Sequence, residues 1–511
     1  MDKRDLGNDF KQTEHLRQID ELLRQALLSP GKRVFFIGIA GISMLGLAEI
    51  AASHEMKIAG SDIAADNIRT QLESLNATVY NSHDVSHIQE FKPDLVVYTL
   101  AIPADNPELQ IARELGIPTV ERAVFLGAIN RQYRRVINIA GTNGKTTTTA
   151  LCSQLLVSTG FDPAVHLGAE YGPFNGTVRI SDQAELMVSE ACEFGGSFLS
   201  FRSTSAVILN IDHDHVDIFP DLRSCRQIFC RFALSLDAGA CLILPTFEVE
   251  IANFLTELLA IKPNYPLEHP IFLYGYAASL RDEAKEQVAT RIFKLLNRKQ
   301  EDLSLIQLSY EGPYAKAQVA YQADSLSYQL AIPGKFNLEN SLAAISAALV
   351  EGAKLEALKE PLENFHGAEG RFTLCGQFQG ADIIADYAHY AESLKLTLEA
   401  AKQLSPKRLV LFFQPITFSR ARANAEGFYQ AAKLADEINF LEVYDNREQD
   451  RSFSTSSIVD RLQSEGYSAK YLPDLESAEK RARSLLQAGD LALFIGASVR
   501  RLADQLAGRK H

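Results

Sequence analysis

Residues 136–156 read VINIAGTNGKTTTTALCSQLL, an apolar run that breaks at two glycines and resumes at once as a threonine-rich segment. A strand that ends in a glycine turn and feeds a helix belongs to a parallel sheet covered by helices, so this stretch commits the chain to an α/β fold. Its chemistry is equally narrow. Backbone N–H groups of such a turn, with the N-terminus of the following helix, cradle phosphate oxygens. Gly141, Thr142, Asn143, Gly144 and Thr147 belong to the expected cradle, Lys145 would reach the terminal phosphates, and Thr146 would place a hydroxyl on Mg²⁺. The full GxxxxGK[ST] spacing needs a glycine at 139, where the chain has Ile139, so the loop is a shortened variant. A Gly-Lys-Thr that merely caps a helix is the plain alternative. The flanking strand and helix favour ATP or GTP, and a motor, a kinase and a ligase all use such a loop.

The strand, glycine turn and helix recur. From Arg33 a short apolar strand (VFFIGIA) meets Gly38, Gly41 and Gly46, and a second strand ends at Gly60-Ser61-Asp62. This GxxGxxxxG turn is weaker than a dinucleotide GxGxxG; it would set a diphosphate on a helix N-terminus, or serve only close packing. Asp62, after the second strand, suggests ribose recognition in a nicotinamide enzyme. A third series holds the strands ADIIADYA, RLVLFFQP and LALFIGA. A chain of 511 residues exceeds one core, since cores stop growing at about 250–300 residues. The expected parts are an N-terminal extension (1–30), a first domain (31–133), a central nucleotide domain (134–368) and a C-terminal domain (369–511). Within the second, the polar stretch 276–305 reads as a helical surface insertion, and an alanine-rich helix is expected from Asn340 to Gly352.

Composition removes several classes of function. A net charge of −13 argues against a broad nucleic-acid footprint, which needs a clustered basic surface. The six cysteines form no CxxC pair and read as reduced thiols. The N-terminus is too polar for a signal peptide and no apolar run approaches a membrane span, so a cytoplasmic protein is expected. Leu16, Ile19, Leu22, Leu23 and Leu27 suggest a short amphipathic helix in the extension.

Glu190 and His215 each end a predicted strand, at the edge of a parallel sheet where ligands gather. Both could approach a nucleotide-bound Mg²⁺, although an imidazole is less usual than a carboxylate for that ion. With His213 and nearby aspartates, a zinc or two-metal hydrolase site is the competing reading.

Taken together, FFIGIAGISMLGLAEI with AGSD, VVYTLAIPADNPELQIARELGIPTVERAVFL, AGTNGKTTTT, the Glu190 and His215 pair, PGKFNLENSLAA, GRF, DYAHY and FQPITFSRAR resemble the Mur ligase family in order and spacing over nearly the whole chain. The resemblance implies a Rossmann-like UDP-binding domain, a central P-loop ATPase domain and a Rossmann-like C-terminal domain. It implies ATP and Mg²⁺, with Lys145 and Thr146 on phosphates and metal, Glu190 and His215 at the metal, and Asn337 and Asn340 on the adenine side. Arg371, Asp386 and His389 would close over the nucleotide. Gly38, Gly41, Gly46, Ser61 and Asp62 would serve the uridine nucleotide, and Arg420 the other substrate. Within the family, the branch joining L-alanine to UDP-N-acetylmuramate fits best, as a monomer or homodimer without a nucleic-acid partner or membrane insertion.

The absence of any lysine between Lys145 and Lys262 matches that branch, because other branches carry a carbamylated lysine soon after the metal histidine. Gln414 and Arg420 point the same way. Asn143 stands where the L-alanine branch commonly has histidine and other Mur ligases carry asparagine; Phe336, Tyr390 and Ile416 stand where histidine is common, and Phe418 where tyrosine is. A muramyl peptide recycling ligase, a catalytically idle nucleotide-binding relative and, from the first turn alone, a nicotinamide oxidoreductase are the alternatives.

Overall fold

The structure, a computed structural model, describes residues 30–181, 183–214, 218–444 and 450–509. His215 and the helix expected in the N-terminal extension lie outside the described residues.

Three sheets follow one another along the chain. The first has five parallel strands, β1 (Arg33–Ile37), β2 (Lys57–Ser61), β3 (Thr78–Tyr80), β4 (Leu95–Tyr98) and β5 (Thr119–Glu121), in the order β3-β2-β1-β4-β5. Helix α1 (Ile42–Ser53) follows the glycine turn after β1, and α2 (Arg122–Asn130) leaves β5 directly.

The second sheet has ten strands: β6 (Arg135–Ala140), β7 (Ala164–Tyr171), β8 (Gly176–Arg179), β9 (Leu186–Glu190), β10 (Ser205–Ile208), β11 (Cys241–Pro245), β12 (Ile271–Tyr276), β13 (Leu303–Glu311), β14 (Tyr314–Tyr321) and β15 (Asp324–Gln329). Their order is β15-β14-β13-β12-β11-β10-β6-β9-β7-β8, parallel from β13 to β7 and antiparallel at both margins. Helix α3 (Lys145–Ser158) follows β6, α4 (Glu283–Leu296) joins β12 to β13, and α5 (Lys335–Val350) follows β15.

The third sheet holds β16 (Thr373–Phe378), β17 (Ala381–Asp386), β18 (Arg408–Phe413), β19 (Glu437–Leu441), β20 (Ala469–Leu472) and β21 (Asp490–Ile495), in the order β16-β17-β21-β18-β19-β20. Strands β18 and β21 are apolar along nearly their whole length because helices cover both faces of a parallel sheet. Helix α6 (Ala391–Gln403) follows β17, and α7 (Phe418–Ala423) follows β18.

Two expectations change. The stretch 276–305 is no insertion: α4 is the crossover between parallel strands β12 and β13, and it buries Val288, Ala289, Ile292 and Phe293. Its charged outer face hid that apolar stripe. The alanine-rich helix begins five residues earlier than expected, at Lys335 directly after Gly334, so Asn337 and Asn340 occupy its first two turns.

The first and second sheets share one core. Phe36, Met44 and Leu47 belong to the same buried cluster as Ala140, Ala164, Val178 and Phe198. Gly46, expected in the glycine turn, lies instead within α1, where a Cβ would be 2.6 Å from Thr177 Oγ1 and 2.8 Å from Val178 Cγ1. Its missing side chain lets α1 lie on β7 and β8, which fixes the first domain against the second. The third sheet has separate cores on its two faces, and Phe336 of α5 packs against one of them. Among the described residues no helix is long and apolar enough to cross a membrane.

Candidate active site

Strand β6 lies between β10 and β9, so the connections from it and its neighbours diverge at its carboxyl end and open a crevice there. The phosphate loop fills that position. Gly141 and Gly144 have φ of +138° and +81°, and a Cβ on Gly144 would meet Asn340 Oδ1 at 2.3 Å, so glycine is required there for both conformation and space. The loop is latched to the segment after β10. Asn143 N donates to Asn210 Oδ1 at 2.8 Å, Asn143 Nδ2 to Asp212 Oδ2 at 2.9 Å, and Asp212 N to Thr142 Oγ1 at 2.9 Å.

Lys145 Nζ donates to Gly141 O at 2.5 Å, to Thr142 O at 3.1 Å and to Glu193 Oε2 at 2.9 Å. Burial would depress its pKa, but the charges of Glu193 and Glu190 outweigh that and hold the ammonium well above the ordinary lysine range. Glu193 is the site residue that sequence reasoning missed. The signal was present in SEACE, where a second acid follows Glu190 by three residues, yet only the strand-ending glutamate was singled out. Glu190 faces Ile139 in register, and its Oε2 accepts from Thr146 Oγ1 at 2.8 Å and Gly168 N at 2.9 Å. A threonine hydroxyl beside a carboxylate is a hard-oxygen pair that suits Mg²⁺. Arg371 Nη2 reaches the same Thr146 Oγ1 from the C-terminal domain, at 3.1 Å.

Asn337 and Asn340 are buried in the wall of this cleft. Asn337 Nδ2 donates to Pro333 O at 2.7 Å, and Asn340 closes on Gly144. From the C-terminal side, Asp386 accepts from Phe372 N at 2.7 Å and Ala388 N at 2.8 Å, shaping the segments that carry Arg371 and His389. Burial raises the Asp386 pKa against the opposing charge of Arg371. His389 Nε2 and Arg420 Nε stand 3.5 Å and 3.6 Å from the two oxygens of Asp214, so Asp214 gathers both across the domain boundary. The open cleft that these residues line has a volume of about 1260 Å³.

The departures from the family pattern have distinct settings. Tyr390 is buried beside Asn143, and its hydroxyl has no well-formed hydrogen bond. Ile416 bridges to Tyr444 through its backbone, and buried Gln414 donates to Glu442 O at 3.2 Å, supporting its loop.

Glu248, on the cleft wall, is pushed up to about 8 by burial first, then by Glu339 and Asp212, against Lys335 and Lys285. Its folded value lies above the ordinary 4.5, so the native state holds the extra proton between the two and stability falls as pH rises through that window. Glu248→Gln should therefore flatten the loss of melting temperature between about pH 5 and about pH 8. An unchanged pH slope in the variant would remove Glu248 as its source.

At the first sheet, Gly38 has φ of +86° and Gly41 caps α1. Ser61 and Asp62 are tied into the first domain. Ser61 is fully buried and donates to Glu108 Oε2 at 2.6 Å, while Asp62 accepts from Ala40 N at 3.2 Å and Ala64 N at 2.9 Å, bracing the turn. Glu108 also meets His83 Nδ1 and His87 Nδ1, each at 2.7 Å, a second cluster that sequence reasoning passed over.

A loop, its acidic neighbours and an arginine from the C-terminal domain converge here. Profiles of the Mur ligase family catalytic domain, the Mur ligase middle domain and the Mur ligase glutamate ligase domain match residues 33–134, 139–265 and 370–498. The chain belongs to the Mur ligase family. This Mur ligase is 36% identical over 469 residues to a UDP-N-acetylmuramate–L-alanine ligase of Caldanaerobacter subterraneus subsp. tengcongensis, covering 91% of this chain and 95% of that protein. It is 34% identical to the ligase of the same name from Alkaliphilus metalliredigens, with the same coverage. Among solved structures, the UDP-N-acetylmuramate–alanine ligase of Thermotoga maritima shares the Mur ligase fold with a TM-score of 0.73 and 24% identity, over 93% of this chain and 97% of that one.

Proposed function

We propose that this Mur ligase uses ATP to join L-alanine to UDP-N-acetylmuramate through an acyl phosphate, a step of peptidoglycan precursor synthesis. The observation that carries the reading is the meeting of Lys145, Thr146 with Glu190, and Arg371 at one point, beside a first domain locked to the second by a shared core. The relatives' names supply the substrates.

A carboxylate is a poor electrophile and oxide a poor leaving group, so amide formation needs activation. An oxygen of the lactyl carboxylate attacks the γ-phosphorus of ATP, the bond to the ADP oxygen breaks, and an acyl phosphate results. Lys145 and Arg371 offset the charge that develops on the transferring group. The oxygens of Thr146 and Glu190, together with His215, which lies outside the described residues, would hold Mg²⁺, which supplies charge neutralisation at the phosphates. The neutral amine of L-alanine then attacks the acyl carbon, phosphate leaves, and the amine proton is released. Arg420 offers a guanidinium to the amino-acid carboxylate, with His389 and Asp214 alongside.

The test offers UDP-N-acetylmuramate, ATP and Mg²⁺ with L-alanine, glycine, L-serine or the intact muramyl tripeptide, reading product mass and phosphate release. A UDP-N-acetylmuramyl-L-alanine product is expected. Product from the tripeptide alone would assign a recycling ligase, and no amide product with any acceptor would leave an idle relative.

A further inference from the structure

Glu248 follows β11 at the carboxyl end of the central sheet, and β10 alone separates β11 from β6 and its phosphate loop. Two strand spacings are about 10 Å, the reach of a nucleoside from its 5′ oxygen to the far edge of its base. On the other flank of β6 lies β9, whose Glu190 meets Thr146 and so marks the metal and the terminal phosphate. A nucleotide placed that way trails its nucleoside toward β10 and β11. One continuous cleft runs in that direction, from the loop past Asn340 to Phe247, Glu248 and the start of α4.

That end of the cleft suits a flat ring. Phe247, Val249 and Phe336 line it with apolar surface. The Phe247 ring stands edge-on to Tyr276, centres 5.3 Å apart, and Tyr276 Oη donates to Glu339 Oε1 at 2.7 Å, one residue before the asparagine that closes on Gly144. The charged groups around Glu248 are engaged elsewhere: Lys335 with Glu339 at 3.4 Å, Lys285 with Asp282, and Asp212 with Asn143. Across the cleft α6 contributes Glu392 and Glu399. The Glu248 side chain is half-buried, leads into the helix Val249–Ile261 without capping it, and makes no hydrogen bond or ion pair with a described residue.

Burial and the surrounding acids keep the Glu248 carboxyl protonated at neutral pH, up to about 8. In that form it offers one donor and one acceptor side by side. Adenine presents the complement, a ring nitrogen that accepts beside an amine that donates. An ionised carboxylate could take the amine proton, but it would set an oxygen lone pair against that of the ring nitrogen. We infer that Glu248 holds the base of the bound nucleotide, its carboxyl pairing with a ring nitrogen and the exocyclic amine of adenine; this rests on the use of ATP proposed above.

ADP and tripolyphosphate share the phosphate loop, but only ADP has a base, so calorimetric titration of both with Mg²⁺ isolates the contact. Glu248→Ala should lose roughly tenfold in ADP affinity at neutral pH, with tripolyphosphate unchanged. The wild-type carboxyl keeps its proton below about 8 and loses it above, so ADP affinity should fall roughly tenfold between about pH 7 and about pH 9, with proton uptake on binding at the upper end. Glu248→Gln donates and accepts as the neutral acid does; it should keep most of the ADP affinity and show neither the fall nor the uptake. Equal losses for both ligands in Glu248→Ala would make Glu248 a residue that shapes the cleft, and no loss for ADP would leave it without a ligand; both overturn the inference. So would a wild-type ADP affinity that parallels that of tripolyphosphate across the pH range. A wild-type protein that binds tripolyphosphate at least as well as ADP would refute the proposed use of ATP, and the inference with it.

Discussion

Lys145→Ala should lower turnover about a thousandfold while leaving the affinity for the UDP-linked substrate nearly unchanged. Every donor of this ammonium has a partner, two of them loop carbonyls and the third Glu193. The lysine thus both carries charge to the transferring phosphoryl group and keeps the loop folded around it. Its removal has a second consequence. Glu193 is only 3% exposed, and a carboxylate stripped of its buried partner costs about 3–5 kcal/mol. A simple loss of activity in Lys145→Ala could then be mistaken for unfolding. The double variant Lys145→Ala/Glu193→Gln separates the two: melting temperature should recover while ADP formation stays lost. Turnover near the wild-type rate in either protein would remove Lys145 from the chemistry.

That pairing also shows where sequence reading stops. The phosphate loop was legible because its parts are contiguous: strand, glycines, lysine and helix start fall within twenty-one residues, and local geometry decides their use. Glu190 was legible because it ends a strand. Glu193 sits in a turn, and nothing local distinguishes a buried partner of Lys145 from a solvated acid. Ser61 and Asp62 show a further limit: their place after a strand marks the sheet edge, but only the tertiary structure shows Ser61 paired with Glu108 and Asp62 bracing the backbone N–H groups of the glycine turn. Gly46 looked like part of a turn because a helical glycine has no signature of its own; Thr177 and Val178, more than a hundred residues away, explain it. Segment 276–305 was misjudged because its charged face dominates the composition while four apolar residues at helical spacing do the packing.

Arg371→Ala is the other large effect expected, about 100-fold in turnover with ADP affinity little altered. The distinction follows from where the arginine comes from. Loop, Lys145 and Glu190 all belong to the central sheet and can hold a nucleotide without help, whereas Arg371 belongs to the segment leading into β16 and reaches Thr146 Oγ1 only across the domain boundary. Its guanidinium lies 5.1 Å from the ring centre of Tyr387, and Asp386 fixes the adjoining Phe372 N–H, so the side chain is presented by a rigid corner. A charge delivered by a second domain is felt most when phosphoryl transfer develops negative charge, and least in ground-state nucleotide binding. Single-turnover formation of ADP should therefore slow in step with steady-state turnover. Arg371→Lys should restore only part of the rate, because a point charge replaces a planar fork. If instead ADP affinity fell with turnover unchanged at saturating ATP, Arg371 would be a docking residue, and the C-terminal domain would contribute enclosure rather than charge to the reaction.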